Sequence, residues 1–223
     1  MPAHRSSDEA KIRDAVVANL RRLRPGARIL HEIQFGNNRI DVLAVDRSEI
    51  FAVEIKSKKD KLDRLETQIQ AMLGCAHAAI AAIHEKFLVE QTTNAMASHY
   101  ERDGVHYRGR RPDQARRATR VWLYPKRQRA AEQGCYDVSS RWRAPDLALQ
   151  VALPSGALDI LWADELRELC FSLRVSADSR TPRRVMMRDL RWFASGSEIT
   201  KGICQALRRR KSLEADPPIE GQL

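Results

Sequence analysis

Apolar side chains recur along this chain with two different periods, and the period changes where the elements change. Ile12, Val16, Val17, Leu20 and Leu23 stand three or four apart, which predicts an amphipathic helix. Ser6-Ser7-Asp8-Glu9 precedes that run with Ser6 and Glu9 at capping-box spacing, and Pro25-Gly26 ends it. Residues 28–35 and 39–45 then alternate apolar and polar on either side of Gly36-Asn37-Asn38, a hairpin signal. A third strand is expected over 50–55, after the turn Asp46-Arg47-Ser48.

The longer period returns over 58–73, where Leu62, Leu65, Ile69, Met72 and Leu73 form the buried stripe of a second helix closed by Gly74. Residues 76–83 are short and apolar and read as a fully buried strand, with helix as the alternative that their alanines allow. A further helix is expected over 88–101 and a short strand over 105–107. The order α-β-β-β-α-β-α describes an α/β fold, a mixed sheet flanked by helices. Beyond residue 108 the stretch to 120 is basic and has little to bury. Strands are expected over 121–124 and 147–153, and helices over 162–173, 183–193 and 198–209. Residues 214–223, with Pro217-Pro218, read as a frayed tail. The organisation is therefore a core over 1–108, a basic and mostly helical C-terminal extension over 109–213, and a tail.

Charge sharpens this division. The formal net charge is +10, and the first 91 residues contribute 15 basic against 13 acidic side chains, so the excess lies in the second half, above all between residues 102 and 129. Such a balance favours polyanionic partners, nucleic acid first among them. The four cysteines, Cys75, Cys135, Cys170 and Cys204, lie 34 or more residues apart, which is not zinc-site spacing, and buried thiols in a reducing cytoplasm account for them. The N-terminus is too charged for a signal peptide, and 76–83 is too short to span a bilayer, so no membrane partner is expected. Neither Cys75 nor Ser139-Ser140 has a histidine at recognisable spacing, so no nucleophile triad is present.

The chemistry concentrates in two runs. Asp41 stands in Arg39-Ile40-Asp41-Val42-Leu43-Ala44-Val45, and Glu54 and Lys56 in Phe51-Ala52-Val53-Glu54-Ile55-Lys56-Ser57. Glu54 and Lys56 are two apart and share one face of a strand, while Val53 and Ile55 turn to the other. If the strands pair, Asp41 meets Glu54 at a sheet edge. Two carboxylates and the Ile55 carbonyl would then suffice for a hard divalent cation, with a lysine beside them to orient a water. Taken alone, Glu-x-Lys is equally an exposed cross-strand charge pair and Asp41 a strand-end residue closing the turn.

An acidic residue, a hairpin, then Glu-x-Lys in the next strand resembles the PD-(D/E)XK nuclease superfamily, here through Asp41 and Glu54-Ile55-Lys56. Ile40 stands where the superfamily's name has proline. The first helix and the helix after the lysine fit the same resemblance. Leu161-Trp162-Ala163-Asp164-Glu165-Leu166 and residues 205–211 resemble, more loosely, the second half of a small bacterial and phage family of such proteins. The resemblance implies a restriction-endonuclease-like fold and Mg2+- or Mn2+-dependent hydrolysis of DNA phosphodiesters. Asp41, Glu54 and the Ile55 carbonyl would be metal ligands, and Lys56 would position the attacking water. It also implies supporting roles for Gln68, where Met72 replaces a frequent tyrosine, and for Glu9, with Glu32 as its rival. RNA is a second polymer of the same chemistry, and a homodimer would bring two sites to two strands. Helix capping accounts equally for Glu9.

Backbone clamps for nucleic acid are expected at Lys58, Lys59, Lys61 and Arg64, although Asp60 and Asp63 interleave with them as a salt-bridged surface would require. A second set is Arg108, Arg110, Arg111, Arg116 and Arg117. Tyr107, Trp122 and Tyr124 are either base-stacking platforms or core. The alternative to an enzyme is a nucleic-acid-binding or adaptor protein that uses the same fold without turnover.

Overall fold

Ser6 opens the first helix as its spacing requires: its hydroxyl accepts the Glu9 amide, and α1 runs Ser7–Leu23 with Ile12, Val16 and Leu20 fully buried. The computed structural model describes residues 6–125, 142–145, 151–212 and 214–220. Cys135, Ser139, Ser140 and the end of the basic stretch past residue 125 lie outside them. So does most of the strand expected over 147–153, whose described part, 151–153, is not strand.

The alternating runs form the hairpin and third strand: β1 (Arg28–Phe35), β2 (Asn38–Val45) and β3 (Ile50–Lys56), each antiparallel to the next. Gly36, at φ +55°, makes the tight turn between β1 and β2 that an L side chain would resist. The second helix, α2 (Leu65–Leu73), is shorter than its apolar spacing suggests. The Asp60 carboxylate accepts both the amide and the hydroxyl of Ser57, and the Asp60 amide returns to the Ser57 carbonyl, so a side-chain turn replaces the first helical turns. Residues 78–84 resolve the alanine ambiguity in favour of strand: β4 (Ala78–His84) lies parallel to β3 and is buried along nearly its whole length.

The helix expected over 88–101 is absent. That segment forms β5 (Val89–Thr92), a 3-10 turn at Ala95–Ala97 and β6 (Tyr100–Arg102), which join β7 (Val105–Arg110) in a small antiparallel sheet of order β5-β7-β6. Asp103 and Gly104, at φ 52° and 76°, supply the left-handed pair of a two-residue hairpin turn, and Tyr100 stacks on Tyr107 across it. The fifth strand of the main sheet, β8 (Arg120–Tyr124), comes from beyond residue 108 and runs parallel to β4, giving the order β1-β2-β3-β4-β8.

Each sheet face has its own helices. Phe51, Val53 and Ile55 pack with Ile12, Val16 and Leu20 of α1 and with the stacked, buried Trp122 and Trp142. Ile50 and Ala52 turn the other way, into a larger cluster that takes in Leu65 and Ile69 of α2. The C-terminal helices α3 (Ala163–Ser172), α4 (Arg183–Phe193) and α5 (Gly196–Arg209) contribute Leu166, Leu190, Ile203 and Leu207 to that cluster. The architecture is thus an α/β mixed five-stranded sheet between helical layers, with a helical C-terminal part.

Glu165 explains its place in the Leu-Trp-x-x-Glu-Leu run. Its carboxylate caps the Trp162 amide at 2.7 Å and pairs with the buried Arg210, whose guanidinium lies 4.4 Å from the centre of the Trp162 ring. The described part of the tail is docked rather than frayed. The Glu214 carbonyl accepts the His31 amide, Ala215 bridges Leu30, and the Asp216 amide donates to the Ile29 carbonyl, so the segment lies along β1. Cys75, Cys170 and Cys204 are free and buried, and burial pushes the Cys75 and Cys204 thiols up to about 12. Among the described residues no helix is long and apolar enough to cross a membrane.

Candidate functional site

Strand alternation puts Glu54 on the α2 side of the sheet, in step with Ile50 and Ala52. It is only 2% exposed there. Lys56, two residues on, donates to Glu54 Oε1 at 2.7 Å, and Gln68 Nε2 of α2 donates to the same oxygen. Glu54 Oε2 is buried with no hydrogen-bond partner, and so is Gln68 Oε1. Burial, then the nearby charge of Asp41, raises the Glu54 carboxyl to about 7.

Asp41 stands where two ladders give out. The β2–β3 register ends at Val42 opposite Val53, and beyond it Asp41 Oδ2 accepts the Ile55 amide at 2.7 Å in place of a backbone rung. On its other side the β1–β2 ladder pairs His31 with Val42 and Ile33 with Ile40, skipping Glu32 and Asp41 between them. Glu32 has φ +57°, a left-handed conformation that L residues other than asparagine and aspartate rarely take. That twist lets Leu30 and Ile33 both enter the same core cluster, as do Ile40 and Leu43, and it turns the Glu32 carboxylate toward Asp41's neighbourhood. Burial raises the Asp41 carboxyl, against the Ile55 hydrogen bond and a nearby guanidinium, which lower it.

That guanidinium is Arg13, on α1 and 5% exposed. Its Nη2 lies 2.9 Å from Glu9 Oε1, 3.0 Å from Glu32 Oε1 and 3.6 Å from Asp41 Oδ1, and its Nη1 donates to the Asp41 carbonyl at 2.6 Å. Glu9 and Glu32 thus both reach the same corner of the site, through Arg13. Sequence reasoning passed over Arg13 because it follows Ile12 inside an apolar stripe. The signal was its spacing, four residues after Glu9 on the buried side of α1.

The donor set suits a hard divalent cation. Asp41 and Glu54 offer two carboxylates that repel each other, one Glu54 oxygen is buried and open, and the Ile55 backbone is fastened to Asp41. Among the described residues no three His, Cys, Asp or Glu side chains converge as a metal cage.

The proposed backbone clamps fall in two places. Lys58 and Lys59 lie on the irregular segment before α2, 3.6 and 3.9 Å from Asp8, with Lys61 and Arg64 exposed on the same segment. Arg108 and Arg110 project from β7, where Arg108 bonds Gln91 and Arg110 pairs with Asp113. Arg111 and Arg116 are exposed, and Arg117 donates to Gln70 of α2. Trp122 is core, whereas Tyr107 lies between the Tyr100 ring and the Arg102 guanidinium.

Residues 3–98, a range that takes in α1 through β5 and the 3-10 turn after it, match the model of a family described as Bacteriophage P4 protein cII. Asp41, Glu54, Lys56, Gln68, Glu9 and Arg13 all lie within that stretch. Comparison with curated proteins and with solved structures returns no match.

Proposed function

We propose that this chain is a metal-dependent nuclease of the PD-(D/E)XK type. The observation that carries the reading is the state of Glu54. One of its oxygens is held by Lys56 and Gln68, while the other is buried, open and next to the charge of Asp41. A buried carboxylate left half-satisfied beside a second one is costly unless a cation joins it.

Asp41, Glu54 and the Ile55 carbonyl would hold Mg2+ or Mn2+, which supplies charge neutralisation at the phosphate and a more acidic bound water. Lys56 holds Glu54 on one side and presents its ammonium to the water that attacks phosphorus, offsetting charge as it develops. Gln68 fixes the Glu54 rotamer from α2. The Ile55 amide fixes Asp41 so that both carboxylates are set before substrate arrives. The exposed arginines of β7 and residues 111–117 supply phosphate contacts along the DNA.

A specific observation supports a second reading, a nucleic-acid-binding or adaptor protein without turnover. Lys56 pairs with Glu54, Arg13 with three acidic groups and Arg39 with Glu32, so most of the charge in this corner is already balanced. The two readings separate in a cleavage assay on linear, circular, single-stranded and branched DNA with Mg2+ or Mn2+. Cutting by the parent that vanishes in both Lys56→Ala and Asp41→Ala supports the enzyme. DNA binding that is equal in all three proteins, with no cutting of any substrate, supports the binding module.

A further inference from the structure

Helix α4 meets the core through one narrow side. Met186 and Leu190, four residues apart, are fully buried in the cluster that Leu166 and Ile203 also enter. At 3.6 residues per turn the opposite side carries Arg184, Arg188, Arg191 and Trp192, the last three standing four, seven and eight residues beyond the first. All four are exposed, Trp192 at 82%. The apolar side of the helix is taken up by the core, and a row of guanidiniums ending in an indole faces outward.

That row is poorly neutralised. Asp189 is the only acidic residue of α4, and it holds Arg188 at 2.8 Å in an exposed pair, weak enough for a phosphate to share or replace. Arg191 donates to the Ser155 carbonyl at 2.9 Å, which steadies the side chain without cancelling its charge. Among the described residues Arg184 has no ion-pair partner. A solvated helix face would mix both signs, and a tryptophan is seldom left in water. Guanidiniums fork onto phosphate oxygens, and a ring open to solvent stacks on a base that is unpaired.

We infer that the outward side of α4 binds single-stranded nucleic acid, with Arg184, Arg188 and Arg191 on its phosphates and Trp192 stacked on a base. The inference rests on nucleic acid as the partner, which the enzyme and adaptor readings share, and it adds a strand form and a second place of contact. This contact stands apart from the proposed metal site. Ser155, which holds Arg191, precedes Gly156, and Gly156 lies against the Gly74 carbonyl in the turn from α2 to β4. Lys56 pairs with Ile83, near the other end of β4. Residues 78 to 83 of a strand cover ~17 Å. A strand gripped on α4 is therefore tethered away from the scissile bond.

The test measures binding of the full-length protein to a labelled oligothymidylate of roughly 20 nucleotides and to a duplex of the same length. Fluorescence anisotropy is read across a salt series, with tryptophan emission followed in parallel and folding checked by circular dichroism. Arg184→Gln/Arg188→Gln should weaken oligothymidylate binding about tenfold and lower the log–log salt slope by ~0.7 for each phosphate no longer neutralised. Trp192→Ala should weaken it about tenfold, and Trp192→Phe should restore most of that loss while abolishing the quenching of emission on binding. Equal affinity and slope in parent and variants would overturn the inference and leave the nuclease reading standing. Weakening confined to the duplex would overturn the single-strand assignment. Loss of a parent dimer in sedimentation velocity, with binding unchanged, would give this face to a second copy of the chain and overturn it too. A parent that cuts no substrate, yet binds oligothymidylate through these residues, removes the enzyme and supports the inference. A parent that binds no nucleic acid ends both. Should the double variant fail to fold, Arg184→Glu decides, since Arg184 has no ion pair to lose: a similar drop supports the inference, and unchanged binding overturns it.

Discussion

The Asp41 carboxylate takes the Ile55 amide hydrogen at 2.7 Å, so a side chain of β2 completes the backbone bonding of β3 just where their ladder ends. One acidic group therefore has two duties, an acceptor for a buried amide and, on the reading above, a metal ligand. The two can be separated by substitution.

Asp41→Asn keeps an oxygen for the Ile55 amide and removes the charge. Metal-dependent cleavage should fall at least about 100-fold, the effect of ~3 kcal/mol of lost transition-state stabilisation, while thermal stability holds or rises as repulsion with Glu54 is relieved. Asp41→Ala should lose cleavage and, in addition, about 1–3 kcal/mol of stability from the unpaired amide. Parallel plasmid-cleavage assays and thermal melts distinguish them, and equal melting of the two variants would argue against the structural duty.

Glu54 should make stability depend on pH in the metal-free protein. Its carboxyl is raised from 4.5 to about 7, first by burial and then by Asp41. In that window the folded state binds more protons than the unfolded one, so stability falls as pH rises and the full penalty is present above it. Urea melts in chelator at about pH 5 and about pH 8.5 should show Glu54→Gln gaining on the parent at the higher pH. A difference that does not change with pH would remove the buried charge from the account.

Gln68 touches Glu54 and not the proposed substrate path, so it acts as a positioning residue. Gln68→Leu should lower kcat roughly 10–100-fold, as the loss of an outer partner of a metal ligand does, with KM for DNA little changed. Gln68→Glu, which offers an acceptor where Glu54 needs a donor, should be worse. A variant that raised KM alone would place Gln68 at the substrate instead.

Arg111 and Arg116 are exposed on the segment that follows β7. If they pair with phosphates, the double variant Arg111→Ala/Arg116→Ala should bind DNA more weakly and reduce the log–log salt slope by about 0.9 for each phosphate no longer neutralised. Fluorescence anisotropy across a salt series measures both quantities. An unchanged slope would move the DNA path to the other basic segment, at Lys58–Arg64.

Much of this fold was legible because side-chain period and burial agree. Alternation over 28–35, 39–45 and 50–55 gave the three strands within a residue or two, and Glu54 and Lys56 share a face for that reason alone. Legibility failed where local side-chain bonding outweighed the period. Asp60 and Ser57 close a turn where the helix expected from residue 58 would begin, and Asp103-Gly104, a hairpin signal in its own right, turns β6, which lies in the segment expected as helix, back onto β7. Arg13 was hidden for a different reason. A cation's worth depends on what surrounds it in space, and two of its partners, Glu32 and Asp41, come from strands that only the folded sheet brings to α1.

The segment around Ala215 has one more consequence. β1 is an edge of the main sheet, and its Ile29 carbonyl and amide are taken by Asp216 and its His31 amide by Glu214 of the same chain. An uncovered edge of this kind is a template on which a neighbouring molecule can add its own strand. The chain thus fills that part of its own edge, and it does so on the strand whose Glu32 helps to hold Arg13 in place. The covered sheet edge and the shape of the acidic corner are, in this molecule, maintained along the same stretch of backbone.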